Sequence, residues 1–73
     1  MSSNLYSKEH RTIVERLQKA RKEAGLDQIR VAKKLDKSQS YLSKIESGQR
    51  KIDVVQLKKF AKIYKKDLEF FIK

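Results

Sequence analysis

Residues 28–50, QIRVAKKLDKSQSYLSKIESGQR, leave little freedom in how this chain can fold. They read as two short helices joined by a tight turn. Val31, Ala32 and Leu35 lie on one face of the first helix, and Leu42 and Ile45 anchor the second. Asp36 and Lys37 form the polar break between them. That spacing lets both helices pack on one core, and the small Ala32 lets them approach closely. Gln39, Ser40, Ser43 and Lys44 are then left on the outer face. Amides, hydroxyls and ammonium groups are the types that reach base edges and phosphates in a DNA major groove.

The flanking segments supply further helices. Ile13, Leu17, Ala20 and Ala24 recur at helical spacing with Arg21 beside them, and Gly25 follows as a left-handed cap. A first helix is therefore predicted from Lys8 to Ala24. Asp27 is a good N-cap for the second, Gln28 to Leu35, and Ser38 for the third, about Gln39 to Ser47, which Gly48 ends. The chain has no Pro, and both its glycines fall just past predicted helix ends. Asp53 starts a fourth helix, with Gln56 completing a capping box. Its apolar face is Leu57, Phe60, Ala61 and Tyr64, with Val54 near the start. Asp67 can cap a last short helix carrying Leu68, Phe70, Phe71 and Ile72. Residues 1–7 are polar and aperiodic, and are expected to be a flexible N-terminal arm. Residues 8–73 are expected to form one compact, all-α, five-helix domain. No internal repeat is evident.

Net charge is +10, from 19 Lys and Arg against 9 Asp and Glu. Such an excess attracts polyanions, either nucleic acid or an anionic membrane. The basic residues are spread along the chain, so any basic stripe must be made by folding. There is no Cys, hence no disulfide and no thiolate metal site. His10 is the only histidine; it is expected to be solvated, and no second ligand argues for a metal. No apolar run approaches the ~20 residues of a membrane span. The N-terminus lacks a signal-peptide pattern, so a cytoplasmic protein is expected. An enzyme is not expected. There is no Cys–His pair and no Gly-rich phosphate loop, and a Ser-His-Asp site would have to use His10. No cofactor or small-molecule ligand is expected either.

From about Ile13 to Phe71 the chain resembles the lambda-repressor-like, or Xre/Cro-type, family of helix-turn-helix DNA-binding proteins. The resemblance rests on Leu26-Asp27-Gln28, the Val31-Ala32…Leu35 run, SQSYLSKIESG at 38–48, and Gln49-Arg50-Lys51-Ile52. It implies five helices, with the third reading double-stranded DNA, usually as a homodimer on a palindromic operator. Matched position by position, Gln39, Ser40 and Lys44 fall on base-contacting positions. Gln28 matches a phosphate-binding glutamine at the N-terminus of the second helix. Ser38, Tyr41, Ser43, Ser47, Gln49, Arg50 and Lys51 fall where the family contacts or approaches the backbone. Arg21 and Glu46 match a structural ion pair between the first and third helices. The chain departs from the family pattern at Asp36, usually Gly, and at Lys37, usually apolar.

At the C-terminus, Phe71 is expected to close the core, while Phe70 and Ile72 point elsewhere. An exposed aromatic beside an aliphatic residue suggests a dimer interface. The expected function is that of a small sequence-specific DNA-binding regulator of transcription, a repressor. The alternative is an antitoxin-like interaction module that binds another protein and also controls its own promoter. A domain that coats anionic membranes would fit the charge but not the capped, multi-helix pattern. No effector-binding domain fits in the remaining residues.

Overall fold

The computed structural model describes residues 7–72. The expected arm, apart from Ser7, lies outside the described residues. Five helices follow in order: α1 (Lys8–Glu23), α2 (Gln28–Leu35), α3 (Gln39–Glu46), α4 (Val54–Tyr64) and α5 (Leu68–Ile72). No strand occurs among the described residues. α1 packs on α3, α4 and α5, and α2 on α3 and α4. Phe60, Phe71, Leu17, Leu42, Ile45 and Val31 are fully buried where these elements meet. Full burial of one such side chain is worth roughly 1.5–3 kcal/mol, so this cluster is the main source of cohesion.

One device starts the first four helices. Ser7 Oγ accepts from the His10 amide at 3.1 Å, and Asp27 Oδ1 from Arg30 at 2.8 Å. Ser38 Oγ accepts from Tyr41 at 3.2 Å, and Asp53 Oδ1 from Gln56 at 2.8 Å. Each cap satisfies an amide that the helix cannot, worth ~1 kcal/mol. The capping box at Asp53 is not completed, because the Gln56 side-chain oxygen is buried without a hydrogen-bond partner.

Several expectations are corrected. α1 turns His10, Val14, Leu17 and Ala20 inward, rather than the line Ile13, Leu17, Ala20 and Ala24. Ile13 is half-buried and Ala24 is the exposed C-cap. His10 is not solvated: it is 7% exposed, and its Nε2 donates to the Gly48 carbonyl at 3.3 Å. The first turn of α1 lies over the end of α3, which covers the imidazole. Val54 is 60% exposed because it lies on the outer side of the first turn of α4. Ser47 is the C-cap of α3 rather than its last helical residue.

Two turns share one backbone. Asp36 ends α2 with φ 60° and ψ 43°, and Lys65 ends α4 with φ 57° and ψ 46°. Both are left-handed without being Gly, a conformation that strains L-residues. The amide after each closes the turn, Lys37 onto the Ala32 carbonyl and Lys66 onto that of Ala61, both at 2.9 Å. The Lys66 ammonium also meets Glu23 at 3.0 Å, tying the second turn to the end of α1.

Candidate nucleic-acid interface

α3 has two faces. Leu42 and Ile45 are buried in the core, while Gln39, Ser40, Ser43 and Lys44 are exposed. At 3.6 residues per turn those four positions form one continuous stripe. The buried face fixes α3 in place and leaves the polar stripe free of intramolecular duty, apart from one contact. Gln39 Nε2 lies 3.5 Å from Gln28 Oε1, at the N-terminus of α2.

Behind that contact lies a continuous polar chain. Gln28 is half-buried and its Nε2 donates to Glu46 Oε1 at 3.1 Å. The other carboxylate oxygen, Oε2, accepts from Arg21 Nε at 2.8 Å. Arg21 Nη1 also donates to the Leu26 carbonyl at 3.0 Å, so the guanidinium ties α1 to the loop before α2. The Glu46 hydrogen bond is the main cause of a raised Arg21 pKa. Glu46 is 5% exposed, and both its carboxylate oxygens are satisfied, as burial of a charge requires.

The rim of the stripe is cationic. Tyr41 is half-buried, with Lys37 Nζ 5.3 Å and the Arg50 guanidinium 4.9 Å from its ring centroid. A ring so placed holds two flexible cations beside α3. Burial raises the Tyr41 pKa. Ser38 is the N-cap and Ser47 the C-cap of α3; the Ser47 hydroxyl donates to the Lys44 carbonyl at 3.2 Å. Gln49, Arg50 and Lys51 are exposed in the segment that leaves α3.

Phe70 and Ile72 lie apart from this stripe, on α5. Ile72 is 54% exposed. Phe70 is not free: it is half-buried, with its centroid 5.1 Å from that of Phe71. The Arg16 guanidinium is 5.4 Å and Lys66 Nζ 4.7 Å from its ring centroid. α5 is so short that its ring can fold back on α1 and on the preceding turn.

Two features of the site escape the sequence pattern. Gln18 donates from Nε2 to the Glu46 carbonyl, pinning the end of α3 to α1. The one available signal is its position three residues before Arg21, on the same side of α1. The inward use of the Gln28 amide has no local signal, since its partner is 18 residues away. Among the described residues, no group of His, Asp or Glu is placed to hold a metal ion. No helix among them is long and apolar enough to cross a membrane.

A two-helix unit with a polar stripe on its second helix, supported by three further helices, defines a class. A family model described as helix-turn-helix matches residues 17–71. The chain belongs to that family, the Xre or lambda-repressor-like helix-turn-helix proteins. It is a family of DNA-binding transcriptional regulators. No curated protein matches the chain.

Proposed function

We propose that this protein is a sequence-specific transcriptional repressor that lays α3 in the major groove of duplex DNA. The observation that carries this reading is the exposed Gln39, Ser40, Ser43 and Lys44 stripe, held on a helix whose other face is buried. Gln39, Ser40 and Lys44 read base edges. The Gln39 amide suits the N6 and N7 edge of adenine, and Lys44 suits guanine O6 or N7. Ser38, Tyr41, Ser43, Ser47, Gln49, Arg50 and Lys51 line the phosphates. Gln28 keeps one N–H for a phosphate at the N-terminus of α2, where the helix dipole favours an anion. Repression needs only occupancy of a promoter, and the proposed location is the cytoplasm, with the DNA.

One recognition helix reads too few base pairs to define a site, so the protein acts as a homodimer. Ile72, on the exposed side of α5, is the leading contact, with the cation-flanked edge of Phe70 beside it. Selection from random duplex DNA is expected to return a two-fold site with half-sites ~34 Å apart. Sedimentation should find two protomers on that site. Failure to enrich any sequence would sink the DNA-reading function, and a single protomer on an asymmetric site would sink the dimer.

A further inference from the structure

A primary amide has two ends of similar shape and opposite hydrogen-bond polarity, a carbonyl acceptor and an NH₂ donor. Left alone on a surface, it can present either end. The reading of adenine by Gln39 requires a particular end at each atom: NH₂ toward N7 and carbonyl toward the N6 amino group. Something must select that orientation.

The selection can be followed inward. The Glu46 carboxylate, paired with Arg21 at 2.8 Å, offers lone pairs and no proton. Gln28 lies 3.1 Å from its Oε1 and must therefore turn its NH₂ inward. The Gln28 carbonyl is thereby turned toward Gln39, and Gln39 must present its own NH₂ to it, at 3.5 Å. Gln39 is left with one free N–H and a free carbonyl. These are the donor and acceptor that adenine needs. Each amide in the chain has its polarity dictated by the one behind it, and the first is dictated by a group that can only accept.

We infer that Glu46 is a positioning residue for base selection. It sets the polarity of the Gln28–Gln39 amide pair, and so the base preference of α3, without contacting DNA. The inference rests on the proposed base contact of Gln39. Glu46 is suited to the task because it is buried at the end of α3. Its backbone carbonyl is held by Gln18 and its side chain by Arg21, so it has little freedom to follow a flipped amide. Without that anchor, Gln28 and Gln39 can rotate together. Gln39 can then offer NH₂ to guanine N7 or O6 as well.

The probes are the duplex selected by the wild-type protein and its single-base substitutions at the Gln39 position. The variant is Glu46→Gln, which has the shape of the carboxylate but can donate as well as accept. Its preference for adenine should fall about 5- to 10-fold, within the range of one bidentate base contact. Arg21→Lys keeps a cation beside the carboxylate, which stays acceptor-only, and should keep the preference. The double variant Arg21→Met, Glu46→Gln leaves no unpaired buried charge, so it serves if the single variant does not fold; it too should lose the preference. In a Gln39→Ala background, Glu46→Gln should change the preference no further. A uniform loss of affinity for every duplex, with the preference intact, would show Glu46 to be merely structural and overturn the inference.

A second measurement is independent of DNA. In free protein, the side-chain NH₂ groups of Gln28 and Gln39 should show restricted motion in ¹⁵N relaxation, lost from both in the double variant Arg21→Met, Glu46→Leu, which removes the acceptor and leaves no unpaired buried charge. If the protein selects no DNA site, the proposed function has failed, and this measurement still decides the positioning role. Amides equally mobile in wild type and variant would overturn it.

Discussion

The α2–α3 and α4–α5 pairs of helices are joined by almost the same turn and put to opposite uses. Each turn follows an Ala and a Lys, passes through a left-handed residue, and continues through a Lys to a Ser or Asp that precedes the next helix. The dihedral angles at Asp36 and Lys65 agree within a few degrees, and the closing hydrogen bonds have the same length. Yet α3 emerges with a polar stripe facing outward, while α5 emerges with Phe71 fully buried. The turn sets where the second helix begins and at what angle. Which side chains that helix then turns outward decides whether it reads or seals.

The sealing role can be broken most forcefully. Phe71→Ala should cost roughly 3–5 kcal/mol, measured by urea unfolding, because it is the one fully buried side chain of α5. Ser43→Ala on the reading helix should leave stability within ~0.5 kcal/mol, as surface changes do. A small loss at Phe71 would mean that α5 is an accessory, and the contrast between the two pairs would collapse.

The reading role is next. Gln39→Ala should cost roughly 1–3 kcal/mol on the selected site and relax its sequence preference, whereas Lys51→Ala, at a proposed phosphate contact, should weaken all duplexes alike. Competition binding against unrelated DNA separates the two. Equal losses on specific and unrelated duplexes for both variants would erase the division between base and phosphate contacts.

The position before each left-handed residue differs in kind: Leu35 in one pair, Tyr64 in the other. The Tyr64 hydroxyl is buried with no hydrogen-bond partner, and burial pushes its pKa up. Tyr64→Phe should therefore raise stability by ~1 kcal/mol in thermal or chemical unfolding, since it removes an unsatisfied polar group. A loss of similar size would mean that the hydroxyl is satisfied after all.

The smallest effects lie in the turns themselves. Lys65→Gly should stabilise by ~0.5 kcal/mol, as relief from left-handed strain outweighs the greater freedom of Gly in the unfolded chain. Asp36→Gly should gain less, because Asp tolerates that region better than Lys. A larger gain at Asp36 would show that the two turns, alike in backbone, are strained differently.

Much of this architecture was legible from short-range pattern. Asp27, Ser38 and Asp53 mark helix starts because an N-cap acts within three residues of itself. The apolar positions of α2, α3 and α4 lie on their buried faces because a helix repeats its face every few residues. Asp36 was readable as the left-handed residue because the family pattern has Gly there. Lys65 was not, since nothing about Lys favours that conformation and only the docking of α5 imposes it. The buried face of α1 is undecided by spacing for a similar reason. The lines through Ile13 and through Val14 are both helical, and only the position of α3 decides that His10 and Val14 are covered.

Local chemistry, acting between residues a few positions apart, is enough to set five helices, the N-caps of the first four, their order and the polar stripe of α3. What it does not carry is the inward path from Gln39 through Gln28 and Glu46 to Arg21 and Gln18. Those residues come from three helices, and their hydrogen bonds exist only once packing has brought the helix ends together. Nor does it carry the fate of Phe70, an apolar residue that reads as a free surface until Arg16 and Lys66 are placed beside it. Caps and periodicity are properties of a segment, whereas the polarity of a buried hydrogen-bond chain belongs to the folded whole, because every donor in it is chosen by an acceptor far away in sequence.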